Sequence, residues 1–184
     1  MIGSAQSATI RVSSNDSIQG AIDRAKDGDL IEVEHGTYLS DIDITVNKRL
    51  ILKGIGNPII NASKNGNGIT LSANGVVLEG FTIQSAKWDG INVISNDNTI
   101  EANIISNNIN GIELLECSNN TLSNNTITKS VWTGVSLEHS SRNKFINNSL
   151  IKNCWGIVLK NSSHNYIKLN IVDGCERQSA IELA

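Results

Sequence analysis

Six segments of the chain resemble one another, and their matching residues Thr70, Asn92, Glu113, Ser136, Val158 and Glu182 form a column in which Glu113 is the one mid-column carboxylate. Cleaving a glycosidic bond takes two carboxyl groups roughly 5 to 9.5 Å apart, one giving and one taking a proton or electrons. The candidates for a partner are Glu116 and Glu138, the first expected to stack against His139 of the next segment. Glu113, Glu116, Glu138 and His139 together hold the acids and the imidazole that proton transfer near neutral pH requires. The same residues also read as a solvated β-face on which Lys160 pairs with Glu138. Both readings stay open.

A second kind of chemistry is offered by Trp88, Trp132 and Trp155, each one or two places before a segment-opening Gly, with Ile109 in the equivalent slot between the first two. Indole rings exposed along one edge stack on the apolar faces of sugars, whereas rings folded over the edge would shield the core. Asn92, Glu113, His139 and Asn161 would supply hydrogen bonds to hydroxyls. The expected ligand-binding set is therefore Trp88, Asn92, Glu113, Trp132, His139, Trp155 and Asn161, with polysaccharide as the partner.

Metal and cofactor chemistry find little support. His35, His139 and His164 fall in different columns, Met1 is the single Met, and no Cys-x-x-Cys or His-x-x-x-His spacing occurs. Asp89, Asp97 and Asp173 are dispersed. Cys117 shares a turn column with Ser140 and Ser162, while Cys154 and Cys175 come near each other on successive segments. No metal and no cofactor are expected.

The elements that must position these residues follow from the repeat. The segments open with Gly68-Ile69-Thr70-Leu71, Gly90-Ile91-Asn92-Val93, Gly111-Ile112-Glu113-Leu114, Gly134-Val135-Ser136-Leu137, Gly156-Ile157-Val158-Leu159 and Ala180-Ile181-Glu182-Leu183, at spacings of 22, 21, 23, 22 and 24 residues. A fixed period of that length marks a solenoid. Behind each opening run two more apolar columns, Leu78, Ile100, Leu122, Phe145, Ile167 and Ile83, Ile105, Ile127, Leu150, Val172. Between them lie two asparagine columns, Asn98, Asn120, Asn143, Asn165 and Asn103, Asn125, Asn148, Asn170. Asn tolerates the left-handed backbone of a sharp bend, and stacked amides can bond as a ladder. In the coil opened by Gly68 these positions are Val76 and Phe81, so the ladders should begin at the coil opened by Gly90. Three parallel strands per coil, wound in the usual crossover sense, predict an all-β, right-handed parallel β-helix of about 22 residues per coil.

Residues 1–184 read as one domain, in which 8–29 form an N-terminal strand and capping helix, 30–67 irregular first coils and 68–184 regular coils. Asp16-Ser17-Ile18-Gln19 looks like a capping box with Asp16 as the N-cap. Ile18, Ala21, Ile22 and Ala25 form one apolar face over about three turns, and Gly28 is placed to close the helix. Such a helix would cover the open first coil. Beyond it Leu30–Glu34, Ile42–Val46 and Arg49–Lys53 read as strands, and His35-Gly36-Thr37-Tyr38 as a turn.

The chain has 184 residues, a net charge of −3, 39% hydrophobic and 4% aromatic content, and no basic run, which argues against nucleic acid as a partner. No segment has the run of roughly 18 apolar residues that spans a membrane. The first seven residues lack a signal's basic start and apolar core; a signal removed from a secreted, periplasmic or cell-surface protein is the expectation. Asn15, Asn61, Asn119, Asn124, Asn147 and Asn161 head Asn-x-Ser/Thr sequons, of a kind an Asn-rich repeat also generates by chance. Ile181–Ala184 stops within a coil, so the chain is either a fragment of a longer β-helix or associates end to end there.

Ser17-Ile18-Gln19-Gly20-Ala21-Ile22-Asp23, Gly28-Asp29-Leu30-Ile31-Glu32-Val33 and Gly36-Thr37-Tyr38 resemble the N-terminal signature of pectate-lyase-like β-helix proteins, pectin methylesterases included. The Asn-Asn-x-Ile and Gly-Ile-x-Leu coils are similar to the NosD-like group, also called the carbohydrate-binding and sugar-hydrolase (CASH) domain. The resemblance implies the fold and a polysaccharide lying along the outer face of one sheet. The same scaffold carries lyases, hydrolases, esterases, epimerases and adhesins. The Asp-Pro-His-Asp motif of alginate epimerases is missing, Pro58 being the sole Pro, Arg142 has no Asp in register as a pectin methylesterase would need, and the loops are short. A binding or surface-presenting module is the leading expectation. A catalytic lyase, hydrolase or epimerase, a NosD-like accessory protein for a copper enzyme and a structural stalk are the alternatives.

Overall fold

Parallel pairing between rungs about 4.8 Å apart builds the whole β-structure. The computed structural model describes residues 7–39, 43–63, 65–174 and 180–184. Within these, each rung contributes one strand to each of three sheets. An opening sheet of seven strands contains Ile44–Val46, Ile69–Leu71, Asp89–Val93, Asn110–Leu115, Thr133–Glu138, Trp155–Lys160 and Ile181–Leu183. A middle sheet of eight runs from Thr9–Val12 to Tyr166–Lys168, and a closing sheet of seven from Thr37–Leu39 to Ile171–Asp173. Every pairing is parallel, and residues of the same column meet across rungs, as in Leu78, Ile100, Leu122, Phe145 and Ile167. Period-2 alternation turns these apolar residues inward, where a single continuous core buries all but Ile167, which packs against it partly exposed.

Three bends per rung keep that stacking in register. At each, a residue with left-handed backbone makes the turn and the next residue points inward. The turn-makers are Asp97, Asn119, Arg142 and His164 at the first bend, Ala102, Asn124, Asn147 and Leu169 at the second, and Ser85, Asn107, Lys129 and Lys152 at the third. The inward asparagines are not themselves left-handed, contrary to the reason first given for them. Their backbone runs on into the strand, which leaves the amide free to aim at the neighbouring rung. Asn120 Oδ1 accepts both the backbone N–H and the side-chain amide of Asn98, each at 2.9 Å, and Asn143 Oδ1 does the same for Asn120 at 2.9 and 3.1 Å. Asn125 Oδ1 accepts from Asn103 N and Nδ2 at 3.0 and 3.2 Å, while Asn125 Nδ2 donates to Ile100 O at 2.8 Å. In the coil opened by Gly68 the donors are Val76 N and Phe81 N, which bond to Asn98 Oδ1 and Asn103 Oδ1. A third inward column, Ala86, Asn108, Ser130 and Asn153, lies at the remaining bend, with Asn108 and Asn153 fully buried.

The N-terminal lid differs from its sequence reading in three details. Helix Ile18–Arg24 is two turns long rather than three, and its N-cap is Ser17, whose Oγ accepts Gly20 N; Asp16 instead accepts Ser13 N. Gln19 reaches sideways to both backbone groups of Thr45 instead of back to the cap. Lys48 Nζ ends the helix by taking the carbonyls of Ile22, Asp23 and Ala25 at 2.7–2.9 Å, and Gly28, left-handed at φ 89, lies beyond the end, donating to Arg49 O. Ile18, Ala21, Ile22 and Ala25 do cover the core. The segment expected to turn at His35–Tyr38 holds the start of strand Thr37–Leu39, because Tyr38 is buried and its hydroxyl bonds Val12 O and Glu34 O. Ile42 and Cys175 lie outside the described residues, so the strand expected from Ile42 is described as Ile44–Val46 and the approach of Cys154 to Cys175 is not described.

Replacing Asn125 by Ala would strand Asn103 N in a buried bend, leave Asn103 Nδ2 with only its bond to Leu78 O and take a donor from Ile100 O. Each buried orphan costs about 1–3 kcal/mol, so Asn125→Ala should lower unfolding free energy by roughly 3 kcal/mol. The outward neighbour substitution Thr126→Ala should stay within about 0.5 kcal/mol of wild type; urea denaturation of the two variants checks the contrast.

Candidate functional site

The opening Gly residues set the shape of the edge where the tryptophans stand. A Cβ on Gly90 would lie 2.7 Å from Gly111 O and 2.5 Å from Ile105 Cγ2, so only Gly permits the closing and opening sheets to meet this tightly. Two places before Gly90 and Gly134 the chain presents its side chain to solvent. Ile109 N bonds Trp88 O at 3.0 Å, Trp132 N bonds Ile109 O at 2.8 Å and Trp155 N bonds Trp132 O at 2.7 Å. Trp88, Ile109, Trp132 and Trp155 thus occupy consecutive rungs of one edge. Trp88 is 55% and Trp132 63% exposed, while Trp155 is half-buried. The smaller Ile109 leaves a cleft of about 360 Å³, lined by Ser85, Ala86, Lys87, Asn107, Asn108, Ile109 and Val131. Lys87 Nζ sits 5.3 Å from the Trp88 ring centroid, a cation–π distance.

Beside this edge the opening sheet carries a carboxyl pair that sequence reading missed. Asp89, set down as dispersed, is buried at the start of its strand, and its carboxyl shares a hydrogen bond with Glu113. Asn110 Nδ2 donates to Asp89 Oδ1 at 2.9 Å, and Asn110 Oδ1 accepts from Thr133 Oγ1 at 2.7 Å, which fixes the amide's orientation. Asp89 N donates to Asn67 Oδ1, and Asn67 N to Asp43 Oδ1. Burial pushes Glu113 up to about 7, with the Asp89 charge, the shared hydrogen bond and Glu138 adding to it. Burial also raises Asp89, against the lowering by its bonds from Asn110 and Glu113. Two like carboxyls in one desolvated place hold a proton between them. The available signal was an Asp in a repeating slot otherwise held by Asn110 and Thr133. Asn92, in register with Glu113, has a buried Oδ1 without a partner.

The expected quartet Glu113, Glu116, Glu138 and His139 is divided by the strand. Glu113 belongs with Asp89. Glu138 turns to Lys160 Nζ at 2.6 Å, which holds its carboxyl below the usual range, and His139 Nδ1 lies 3.9 Å from it. His139 Nε2 faces Asn161 Nδ2 at 3.3 Å. Glu116 shares the left-handed turn column of His139 and Asn161, its N–H bonding Glu138 O. These residues stand at the far bend, about seven positions along the strand from Trp132, or roughly 20 Å at 3.3 Å per residue. Trp88, Trp132 and Trp155 are brought to one edge of the face, Asn92 and Glu113 lie mid-strand, and His139 and Asn161 stand at the far bend. Among the described residues, no group of three or more His, Cys, Asp or Glu is arranged to hold a metal ion.

A raised acid stabilises the fold while protonated, so its contribution is complete below the ordinary carboxyl value of 4.5 and lost as pH rises to about 7. Thermal unfolding should therefore show a stability loss across that window, and Glu113→Gln should flatten it.

Comparison with known proteins agrees with this geometry. The profile of a family described as "Right handed beta helix region" matches residues 67–184. A "Cell surface glycoprotein" of Methanothermus fervidus is 36% identical over 120 residues, which is 64% of this chain and 16% of that protein, so the chain spans a small part of its relative's length. Among solved structures, the catalytic domain of a GH87 alpha-1,3-glucanase in complex with nigerose superposes with a TM-score of 0.74 at 17% identity, covering 100% of this chain and 38% of that one. Escherichia coli ybhc gives 0.62 at 12% identity over 90% of this chain and 66% of that one, and pectate lyase Pel9A 0.52 at 16% over 89% and 55%. These likenesses establish the fold. No helix of the described residues is long and apolar enough to cross a membrane. With more than half of its length matched by the family's profile and its strands stacked in three parallel sheets, the chain belongs to the right-handed β-helix family.

Proposed function

We propose that this chain is part of an extracytoplasmic surface protein and binds polysaccharide along the edge marked by Trp88, Trp132 and Trp155. The observation that carries the reading is the pair of exposed indoles, Trp88 and Trp132, in one column of the edge. Rungs about 4.8 Å apart put Trp88 and Trp132 roughly 10 Å apart along the axis, a span suited to successive rings of an extended sugar chain. Asn92 Oδ1 and the Asp89–Glu113 pair offer hydrogen bonds beside that line. His139 and Asn161, at the far bend, would touch only a ligand that crosses the sheet. The cell-surface relative supports an outside location, and the sugar-acting fold neighbours support the ligand class.

A second reading, glycan cleavage, draws on Glu113 as a general acid that keeps its proton near neutral pH. It meets a geometric objection, since carboxyls that share a hydrogen bond are closer than the roughly 5–9.5 Å separation of a hydrolytic pair. The NosD-like accessory role and the stalk have no comparable observation in their favour.

Removing one stacking ring costs about 1 kcal/mol or more, so Trp132→Ala should weaken retention on an insoluble polysaccharide at least about fivefold, by affinity electrophoresis or pull-down. Unchanged retention in a folded variant would remove the edge as the binding site. Release of reducing ends or unsaturated products, abolished by Glu113→Gln, would favour cleavage instead.

A further inference from the structure

The six sequons are sorted by the fold, and the sorting singles out one of them. Each bend reads left-handed residue, inward residue, outward strand residue. Asn119-Asn120-Thr121, Asn124-Asn125-Thr126 and Asn147-Asn148-Ser149 fall on that frame so that the sequon Asn is the left-handed residue and the Thr or Ser the first strand residue. The amide and the hydroxyl that together define an acceptor both lie outside, and the inward Asn between them bonds within the column. None of Asn98, Asn120, Asn143, Asn165, Asn103, Asn125, Asn148 or Asn170 heads a sequon. Chance alone does not require that separation.

Four of the six acceptor asparagines are otherwise engaged, and in a fifth sequon the hydroxyl residue is. Asn147 Nδ2 donates to Asn124 Oδ1 at 2.6 Å and Asn124 Nδ2 to Glu101 at 3.0 Å, so these two amides occupy each other on adjacent rungs. Asn161 faces His139. Asn61 Oδ1 accepts Ser63 N, tying acceptor to hydroxyl residue, and the Ser17 that completes the Asn15 sequon is committed as the helix N-cap. Asn119 differs. It is exposed at φ 60, its rung neighbours Asp97 and Arg142 head no sequon, and among the described residues its side chain makes no hydrogen bond. A glycan there would project from the bend between the middle sheet and the far end of the opening sheet, away from the tryptophan edge.

We propose that Asn119 is an N-glycosylation site. Asn119 Nδ2 would attack the anomeric carbon of a polyprenyl-phosphate-linked oligosaccharide held by a membrane oligosaccharyltransferase. The carbon–nitrogen bond forms, the anomeric carbon–oxygen bond to phosphate breaks, the amide nitrogen gives up one proton, and the lipid phosphate leaves with the bond's electron pair. This rests on the outside location proposed above and is independent of sugar binding at Trp132.

The chain is to be exported from an archaeal or yeast host that glycosylates a co-exported control acceptor, and the purified protein analysed by intact mass and by glycopeptide mapping. The expected result is one glycan mass on the wild type, absent from Asn119→Gln and Thr121→Val, and kept in Thr121→Ser and Asn147→Gln. The Thr121 pair keeps the test valid if Asn119→Gln folds poorly. An unmodified chain beside a modified control, or a glycan that survives Thr121→Val, overturns the assignment. Retention on polysaccharide should be the same with and without the glycan, so loss of either property leaves the other readable.

Discussion

Backbone polarity at the bends is the constraint on which the rest depends. A β-helix turns its chain three times per rung, and each turn carries N–H and C=O groups into a region with no water to receive them. The structure answers with a side chain that imitates a peptide group. An inward asparagine both accepts from the backbone of the preceding rung and donates to a carbonyl of that rung, as Asn125 does with Asn103 N and Ile100 O. Because the amide spans rungs, it also transmits register. A coil shifted by one residue would turn its apolar column outward and break these bonds together.

Once register is held by the bends, the strands are free to differ in what they display. The middle and closing strands of the regular coils are three residues long, whereas the opening strands reach six at Asn110–Leu115, Thr133–Glu138 and Trp155–Lys160. The opening sheet is consequently the broad face of the prism, bordered on one side by the glycine-tightened edge and on the other by the bend that holds His139. Side chains that vary from rung to rung collect there because neither core packing nor the bends dictate them.

Repetition also decides what could be read from the sequence. Apolar columns and two asparagine columns are periodic, so each residue is attested by its neighbours one period away. The third inward column escaped notice because it mixes residue types: Asn108 and Asn153 accept from Ala86 N and Ser130 N, while Ala86 and Ser130 bring no amide of their own. The helix end escaped for another reason: Lys48, more than twenty residues on, supplies the cap that local sequence assigned to Gly28. Asp89 was invisible as a partner of Glu113 because the two do not share a column. They meet on a diagonal across rungs, and column arithmetic sees only vertical neighbours. The tryptophans were legible as an edge, since they sit one or two places before Gly, but their exposure depended on how tightly that edge closes.

Charge placement shows why the diagonal matters. Stacked rungs bring like charges directly opposite one another unless the column alternates. On the middle sheet Arg11 pairs with Glu32 at 3.3 Å and Lys53 with Glu79 at 3.4 Å. Glu79 does meet Glu101, but in reach of solvent and with Lys53 and Asn124 as partners. Within its own column Glu113 has the neutral neighbours Asn92 and Ser136. Its like-charged contact comes instead from a buried Asp89, whose carboxyl accepts from the Asn110 amide. Apolar substitution at either position would suit the scaffold better, since a buried polar group costs stability unless fully paired. A fold that settles its bend backbone by repetition keeps here a pair that repetition does not require, and such local conflicts concentrate where a surface does something besides fold.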